Sequence, residues 1–285
     1  MKEAYFWCYP WDLEDEGLEE SLAKLRGEIG VDAISVAAVS GPVHEFRPRI
    51  SVETRFFRAQ AAANFHPTTK RYSGLQIRPV AASWMKSRNA MGRICEATSK
   101  SPLRVRGWVA CCNHDGLVER HPNVACVNAM GEVSQARLCP SHPEVREYLA
   151  ALIEDISTQF SIETIELDDA CFGHGWPWYT QASFAPTEGL QTLMQWCFCP
   201  ACRQRAIDMG VDASAAMKRI RDRVDLAMTT AVDADESIED MIGGDADLRG
   251  YQSLREESVT SLVKAIRSRV KNRLVVHVRG PRLLT

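Results

Sequence analysis

The fold is decided by residues 141–169, SHPEVREYLAALIEDISTQFSIETIELDD, which predict one helix followed by one buried strand. Ser141 and Glu144 have the Ser-x-x-Glu spacing of a capping box, which marks the start of a helix. Residues 162–167 then form a short run rich in β-branched side chains that ends in the pair Asp168-Asp169. Between these two signals, apolar residues recur at helical spacing: Val145, Leu149, Leu152, Ile156 and Phe160.

The same alternation of strand and helix extends along the chain in both directions. Short apolar or β-branched runs predict four further main strands, and the longer amphipathic stretches between them predict helices. The strands are predicted at residues 4–9, 33–39, 103–110 and 273–278, with a short extra one at 75–80. Helices are predicted at 18–29, 82–99 and 259–270, and helical segments over much of 190–230. A long loop is predicted at 40–74 and an exposed connection at 233–247.

This order of elements favours an α/β fold of the (β/α)₈ TIM-barrel type, formed by residues 1–285 as a single domain. The alternative is an open doubly wound sheet, but no G-x-G-x-x-G follows the first strand, so its dinucleotide-binding version has little support. Only about five of the eight βα units of such a barrel are visible. Either the barrel is truncated at the C-terminus or the strand count is wrong. A truncated barrel would leave two open sheet edges, which predicts self-association into a homo-oligomer.

The bulk composition is that of a soluble globular protein. The chain carries a formal net charge of -3, which predicts no binding to nucleic acid or to an anionic membrane. No stretch approaches the roughly 20 apolar residues of a membrane span, and no apolar core of a signal peptide follows Met1. The ten cysteines show no regular disulfide framework, which favours a reducing, cytoplasmic location.

A Cys-x-Cys-x-x-Cys motif at Cys197, Cys199 and Cys202 predicts a metal site. Three thiolates this close in sequence can converge on one Zn²⁺. Since a closed structural site needs four ligands, a fourth must come from elsewhere in the chain. The alternative is three unrelated reduced thiols.

Polar and aromatic residues collect where the predicted strands end, which is where TIM barrels carry their sites. Asp168 and Asp169 are the candidate acid/base residues, because a carboxylate beside aromatic loops suits proton transfer to a sugar. Each candidate also has a structural reading, such as a helix cap for Asp12, a turn for His114 or a core position for His277. The candidate substrate-binding residues are Asp12, His114, Trp176, Trp178, His277 and Arg279.

Three segments together resemble the zinc-containing β-galactosidases of glycoside hydrolase family 42 and related uncharacterised glycosidase-like barrels. These segments are Leu138-Cys139-Pro140-Ser141-His142-Pro143-Glu144-Val145-Arg146, Ile165-Glu166-Leu167-Asp168-Asp169 and Cys197-x-Cys199-x-x-Cys202-Arg203. The resemblance covers residues 139–203. It implies that one structural zinc is bound by four cysteines: Cys139, Cys197, Cys199 and Cys202. Cys171 is the alternative fourth ligand.

This chain differs from the family pattern at the catalytic residues. Those galactosidases end the fourth strand in Asn-Glu, so the position of their acid/base residue falls on or beside Asp169. Their nucleophile follows a seventh strand that this sequence does not contain. The resemblance therefore implies a glycoside hydrolase acting on a carbohydrate, with only one of its two carboxylates identified.

Two other functions remain open at this point. One is a metal-dependent hydrolase or isomerase with a catalytic ion held by His114, Asp115, Asp168 and His277. The other is a barrel that binds a carbohydrate without turning it over. A zinc-based nucleic-acid module is the least favoured, because the basic cluster at residues 218–223 fits a solvated helix face.

Overall fold

A computed structural model describes residues 3–47, 56–173, 187–229 and 237–277. Trp176, Trp178 and Arg279 of the predicted site lie outside the described residues. The described strands are β1 Tyr5–Cys8, β2 Ala33–Ser40, β3 Val43–Phe46, β4 Phe56–Ala59, β5 Ala62–Ala63, β6 Arg104–Ala110, β7 Ala125–Val127, β8 Val133–Leu138, β9 Thr164–Asp168 and β10 Arg273–Val276.

The described α-helices alternate with these strands along much of the chain. They are α1 Pro10–Asp15, α2 Leu18–Lys24, α3 Ala90–Thr98, α4 Asp115–Arg120, α5 Pro143–Gln159, α6 Glu188–Met194, α7 Pro200–Asp208, α8 Ala213–Thr229, α9 Ile238–Gly243 and α10 Ala246–Arg267. None of these helices combines the length and hydropathy needed to cross a lipid bilayer.

A parallel sheet lies at the centre of this mixed α/β structure, with its strands in the order β1-β2-β6-β9-β10. The five main predicted strands are confirmed as its members. All eight residues of β2 are buried, as the uninterrupted apolar run at 33–39 predicts for a strand covered on both faces.

Closure into a barrel is not seen among the described strands, because no pairing joins β1 to β10. These two edge strands carry exposed apolar side chains, including Tyr5, Phe6 and Val276. Homo-oligomer formation through such edges stays a prediction.

The prediction of an extra strand at 75–80 is wrong, because its backbone has a different partner. Glu144 Oε1 accepts hydrogen bonds from the backbone amides of Gln76 and Ile77, the latter at 3.1 Å, so these donors are satisfied without a strand. The same contact explains why Ser141 and Glu144 do not form the predicted capping box. The N-cap of α5 is His142, whose Nδ1 accepts from the Glu144 amide at 3.2 Å.

Two further regions differ from the prediction. The long loop at 40–74 contains an antiparallel hairpin of β3 and β4, and the connection at 233–247 contains the short helix α9. The apolar residues of α9 are buried in a cluster shared with α6, α8 and α10, separate from the main core beneath the sheet. Tertiary burial therefore orders a segment whose acidic composition predicts exposure.

Candidate functional site

The candidate site lies on the face of the sheet that carries Trp7, Trp108, Glu166 and Asp168. Successive strand residues point to opposite faces, so Glu166 and Asp168 share one face and Leu167 packs into the main core on the other. The strand register places Trp108 beside Glu166 and Ala110 beside Asp168. Sequence alternation alone therefore predicts this shared face correctly.

A cavity of about 550 Å³ opens at the carboxyl ends of β1, β6 and β9. Carboxylates from three separate segments line it, because the loops after parallel strands meet at one edge of the sheet. Its wall also contains the aromatic rings of Trp7, Tyr9 and Trp108. The lining carboxylates are Asp12, Glu45, Asp168 and Asp169.

The aromatic side chains form a connected wall. The rings of Trp7 and Trp108 are stacked, with centroids 5.3 Å apart and an interplanar angle of 4°. Tyr9 stacks on Trp11 at 4.4 Å and meets Trp108 edge-on at 5.4 Å. The sequence predicts Trp176 and Trp178 as aromatic residues of the site, and both lie outside the described residues. The aromatic rings of the described wall come from β1, β6 and the start of α1.

Glu166 is the centre of a polar network beneath the cavity. The sequence does not predict this network. Its side chain is fully buried, and its Oε2 accepts a hydrogen bond from Trp7 Nε1 at 2.9 Å. The same oxygen lies 2.9 Å from His277 Nε2, and Oε1 lies 3.4 Å from Arg106 Nη1. The other terminal nitrogen of Arg106, Nη2, contacts Glu3. Glu166 thus fixes the positions of Trp7 and His277.

Asp168 and Asp169 have different surroundings, although they are neighbours in sequence. Asp168 ends β9, is 6% exposed and faces the cavity. Asp169 has a left-handed backbone, with φ of 51°, and its carboxylate pairs with Arg137 at 3.3 Å. The carboxylate of Asp169 is thus held by an ion pair at the cavity rim, on a backbone that is strained for a residue other than glycine.

Gly173 is needed where Arg137 crosses the chain. A Cβ on Gly173 would lie 2.6 Å from Arg137 Nε, and the φ of Gly173 is 90°. We expect Gly173→Ala to lower the free energy of unfolding by about 1 kcal/mol more than Gly131→Ala does. Gly131 is the matched control, because its φ is 88° and nothing lies within 4 Å of its added Cβ. Equal losses for the two variants in urea unfolding would contradict this placement of Arg137.

Asp12 and Glu45 form a second carboxylate group across the cavity from β9. Asp12 Oδ2 accepts from the Tyr9 amide at 3.0 Å, which confirms its helix-capping interpretation, yet Asp12 also lines the cavity. Glu45 Oε1 accepts from Trp11 Nε1 at 2.6 Å. Burial raises the pKa of Glu45, and the nearby Asp12 adds to that rise.

Burial also raises the pKa of Asp12, while the Tyr9 amide and Arg47 oppose that rise and Glu16 adds to it. A carboxyl group whose pKa is raised in the folded state stabilises the fold at low pH, where it is protonated. That stabilisation is lost as pH rises through the pKa of the folded state. Asn at position 12 stays neutral. We therefore expect Asp12→Asn to gain stability relative to the wild type as pH rises above about 4, the usual carboxyl value.

Asp32→Asn provides a control of opposite sign for this pH dependence. Asp32 accepts from the Ala4 amide, which lowers its pKa, so its contribution is present at neutral pH and lost in acid. Asp32→Asn should thus lose stability relative to the wild type as pH rises from strong acid towards about 4, the usual carboxyl value, which is a lower range than that of Asp12→Asn. Urea unfolding at several pH values measures both differences, and a pH-independent difference for Asp12→Asn would contradict the burial of its charge.

The two candidate histidines lie in different environments. His114 is buried at the start of α4, where its Nδ1 accepts from the Leu117 amide at 3.2 Å. Burial lowers the pKa of His114 to about 3, with Arg120 adding to the effect, so the ring is neutral. It is absent from the described lining of the cavity. His277 follows β10 directly and contacts the edge of Trp7, with ring centroids 4.7 Å apart.

The four predicted cysteine ligands converge at one buried point. The Sγ atom of Cys139 lies 3.5 Å from Cys199 Sγ, 3.5 Å from Cys202 Sγ and 3.8 Å from Cys197 Sγ. All four sulfurs lie within 4.8 Å of one another. Tetrahedral Zn²⁺ with bonds of about 2.3 Å separates its sulfur ligands by about 3.8 Å, so this donor set fits a metal ion.

The surroundings of the cysteines also suit thiolate ligands. The Val127 amide donates to Cys197 Sγ at 3.3 Å, the kind of outer contact that orients a metal ligand. Cys171, the alternative fourth ligand, does not belong to the converging group. Within the described part of the chain, no other group of three or more Cys, His, Asp or Glu side chains converges in this way. His114, Asp115, Asp168 and His277 are not brought together.

Comparisons with known proteins agree with this architecture. No family model matches the sequence, and no curated protein matches it. Among solved structures, α-L-fucosidase isoenzyme 2 from Paenibacillus thiaminolyticus is similar at 10% identity, with a TM-score of 0.53 over 98% of this chain and 33% of that one. A β-galactosidase from the psychrophilic Marinomonas ef1 is similar at 13% identity, with a TM-score of 0.50 over 96% of this chain and 37% of that one.

A hypothetical protein from Ruminiclostridium thermocellum matches over 96% of this chain and 97% of its own, at 9% identity and a TM-score of 0.51. The chain thus spans about a third of the two enzymes and nearly all of the third protein. At these identities the likeness concerns the fold alone. The chain therefore has a glycosidase-like α/β fold with a parallel central sheet and a buried four-cysteine group able to hold a metal ion.

Proposed function

We propose that the chain is a glycosidase-like enzyme that hydrolyses an O-glycosidic bond in the cavity at the carboxyl ends of β1, β6 and β9. The single observation that supports this most is the combination, in one cavity, of carboxylates with a wall of aromatic rings. Flat aromatic faces pack against the apolar faces of sugar rings, and carboxylates supply acid, base or nucleophile to the glycosidic carbon.

Asp168 is the proposed general acid/base. It is the cavity carboxylate that ends β9, and it is 6% exposed. Asp169 is less suited to proton transfer, because its carboxylate is engaged in the ion pair with Arg137. The resemblance to family 42 implies an acid/base residue at this strand end.

The second carboxylate is proposed to be Asp12, with Glu45 as its neighbour. Both line the cavity on the side of β1, facing β9 across it. Burial raises the pKa of both groups, so the pair tends to retain a proton at higher pH than isolated carboxyls do. Glycoside hydrolysis by two carboxyl groups needs one of them protonated and the other ionised, so the proposed roles require Asp168 to carry the proton and Asp12 to be ionised.

The four cysteines are proposed to hold one Zn²⁺ with a structural role. Such an ion would link the segment before α5 to the segment that begins α7, through Cys139 on one side and Cys197, Cys199 and Cys202 on the other. Four protein ligands leave no coordination position for water or substrate, so the zinc would stabilise the fold without taking part in the reaction.

A panel of 4-nitrophenyl glycosides tests the activity, starting with the α-L-fucoside and β-D-galactoside that the structurally similar enzymes suggest. We expect the zinc-loaded chain to release nitrophenolate from at least one of them. Binding of the corresponding free sugars without any release would instead support the carbohydrate-binding alternative. Neither binding nor release across the panel would contradict the proposed function.

A further inference from the structure

Arg255 is a buried arginine in the middle of α10, next to the four-cysteine site. Its side chain is 1% exposed, and its guanidinium lies over the rings of Phe172 and Trp196, at 5.0 and 4.9 Å from their centroids. An Arg255 nitrogen donates a hydrogen bond to Gln252 Oε1 at 3.0 Å. Among the described residues, the buried Nε atom of Arg255 has no hydrogen-bond partner.

No carboxylate compensates this charge within the described part of the chain. None of the ion pairs formed there includes Arg255, whereas the similarly buried Arg106 contacts both Glu3 and Glu166. A guanidinium does not lose its proton inside proteins, so burial without an anion is unfavourable. Arg255 therefore needs a negative group other than a described Asp or Glu.

The neighbours of Arg255 on α10 point to that group. Tyr251 precedes it by one helical turn, and its hydroxyl donates to the Cys197 carbonyl at 2.5 Å. Val259 follows it by one turn and packs against the apolar cluster that contains the four cysteines. Phe172, beneath the guanidinium, belongs to the same cluster. The same face of α10 thus contacts the cysteine site on both sides of Arg255.

We propose that Arg255 is the counter-charge of the four-cysteine metal site. Four thiolates around one divalent cation retain an excess of negative charge, and burial makes that excess strongly attractive to a nearby cation. Arg255 supplies this cation from α10. The arginine and the metal-thiolate group therefore stabilise each other in a region from which water is excluded. This role rests on the proposed metal site and is independent of any activity on sugars.

The rate of zinc release to the chelator 4-(2-pyridylazo)resorcinol tests the proposal on the reduced, zinc-loaded full chain. Arg255→Met removes the charge and keeps an apolar stem, and should release zinc about 10- to 100-fold faster than the wild type, the range typical of lost outer contacts at metal sites. Arg255→Lys keeps the charge and should stay within about threefold of the wild-type rate. Arg106→Met is the matched control, a buried arginine with its own carboxylates, and should leave the rate unchanged.

Wild-type zinc release from folded Arg255→Met would overturn the proposal, as would Arg255→Lys releasing zinc as fast as Arg255→Met. If Arg255→Met does not fold, Arg255→Gln replaces it with the same expectation. The Lys variant also decides alone, because a tenfold faster release despite its retained charge would overturn the role of charge. A reduced wild-type chain without zinc would overturn the metal site itself, whereas zinc in the wild type with unaffected variants would overturn the counter-charge alone.

Discussion

Asp168→Asn is expected to lower kcat on a 4-nitrophenyl glycoside substrate by about 10²- to 10⁴-fold, the usual contribution of general acid/base catalysis. Asn occupies the same volume at the end of β9 but can neither donate nor accept the transferred proton. With a 2,4-dinitrophenyl glycoside the loss should be smaller, because this leaving group departs without protonation. Comparing kcat for the two leaving groups therefore separates a role in proton transfer from a general loss of structure.

Asp169→Asn is the matched control for this experiment. Asn tolerates the left-handed backbone that Asp169 adopts, so the variant removes mainly the charge that pairs with Arg137. We expect its kcat to fall by less than about tenfold, well below the Asp168 effect. A larger loss for Asp169→Asn than for Asp168→Asn would reverse the assignment and move the acid/base role to Asp169.

Cys199→Ser is expected to remove the bound zinc and to lower the free energy of unfolding. When free zinc is a thousandfold above its dissociation constant for the wild type, the loss should be about 4 kcal/mol. Metal binding to the folded chain alone contributes directly to folding, so losing one of four ligands removes most of that contribution. Elemental analysis of the reduced protein measures the first effect, and urea unfolding in the presence of zinc measures the second.

Cys171→Ser is the control, because Cys171 is half-buried and lies outside the converging group. It should keep one zinc per chain and change the free energy of unfolding by no more than about 0.5 kcal/mol. Loss of zinc from the Cys171 variant, with retention in Cys199→Ser, would show that the fourth ligand is wrongly assigned.

The parts of this structure that could be predicted from the sequence are those that depend on the spacing of residues close together in the chain. The helical repeat from Val145 to Phe160 and the apolar run of β2 correspond to α5 and to a fully buried strand. The grouping of Cys197, Cys199 and Cys202 is local as well. Cys139 joins them from 58 residues away, and only the family resemblance indicates it.

The parts that could not be predicted depend on contacts between distant residues. Glu166 is a buried acid within an apolar strand, and its partners Trp7 and His277 lie 159 and 111 positions away in sequence. Spacing rules carry no information at such separations. For the same reason Glu144, the second residue of a capping-box pattern, instead holds the backbone amides at 76 and 77.

Helix α9 shows a third kind of limit. Its acidic composition predicts an exposed connection, yet Ile238, Met241 and Ile242 are buried against neighbouring helices. Three apolar residues in a short segment leave little periodic signal, because a six-residue helix covers fewer than two turns. Packing against α6 and α10 then decides a structure that the local sequence leaves open.

Sugar binding by the catalytically impaired Asp168→Asn variant shows whether the cavity is a carbohydrate site without relying on turnover. Titration calorimetry with the 4-nitrophenyl glycoside panel should show saturable binding of at least one glycoside. That binding should be weakened at least about tenfold when Trp108, an aromatic residue of the cavity wall, is also replaced by Ala. Absence of saturable binding across the panel, or binding that Trp108→Ala leaves unchanged, would contradict a carbohydrate site in this cavity.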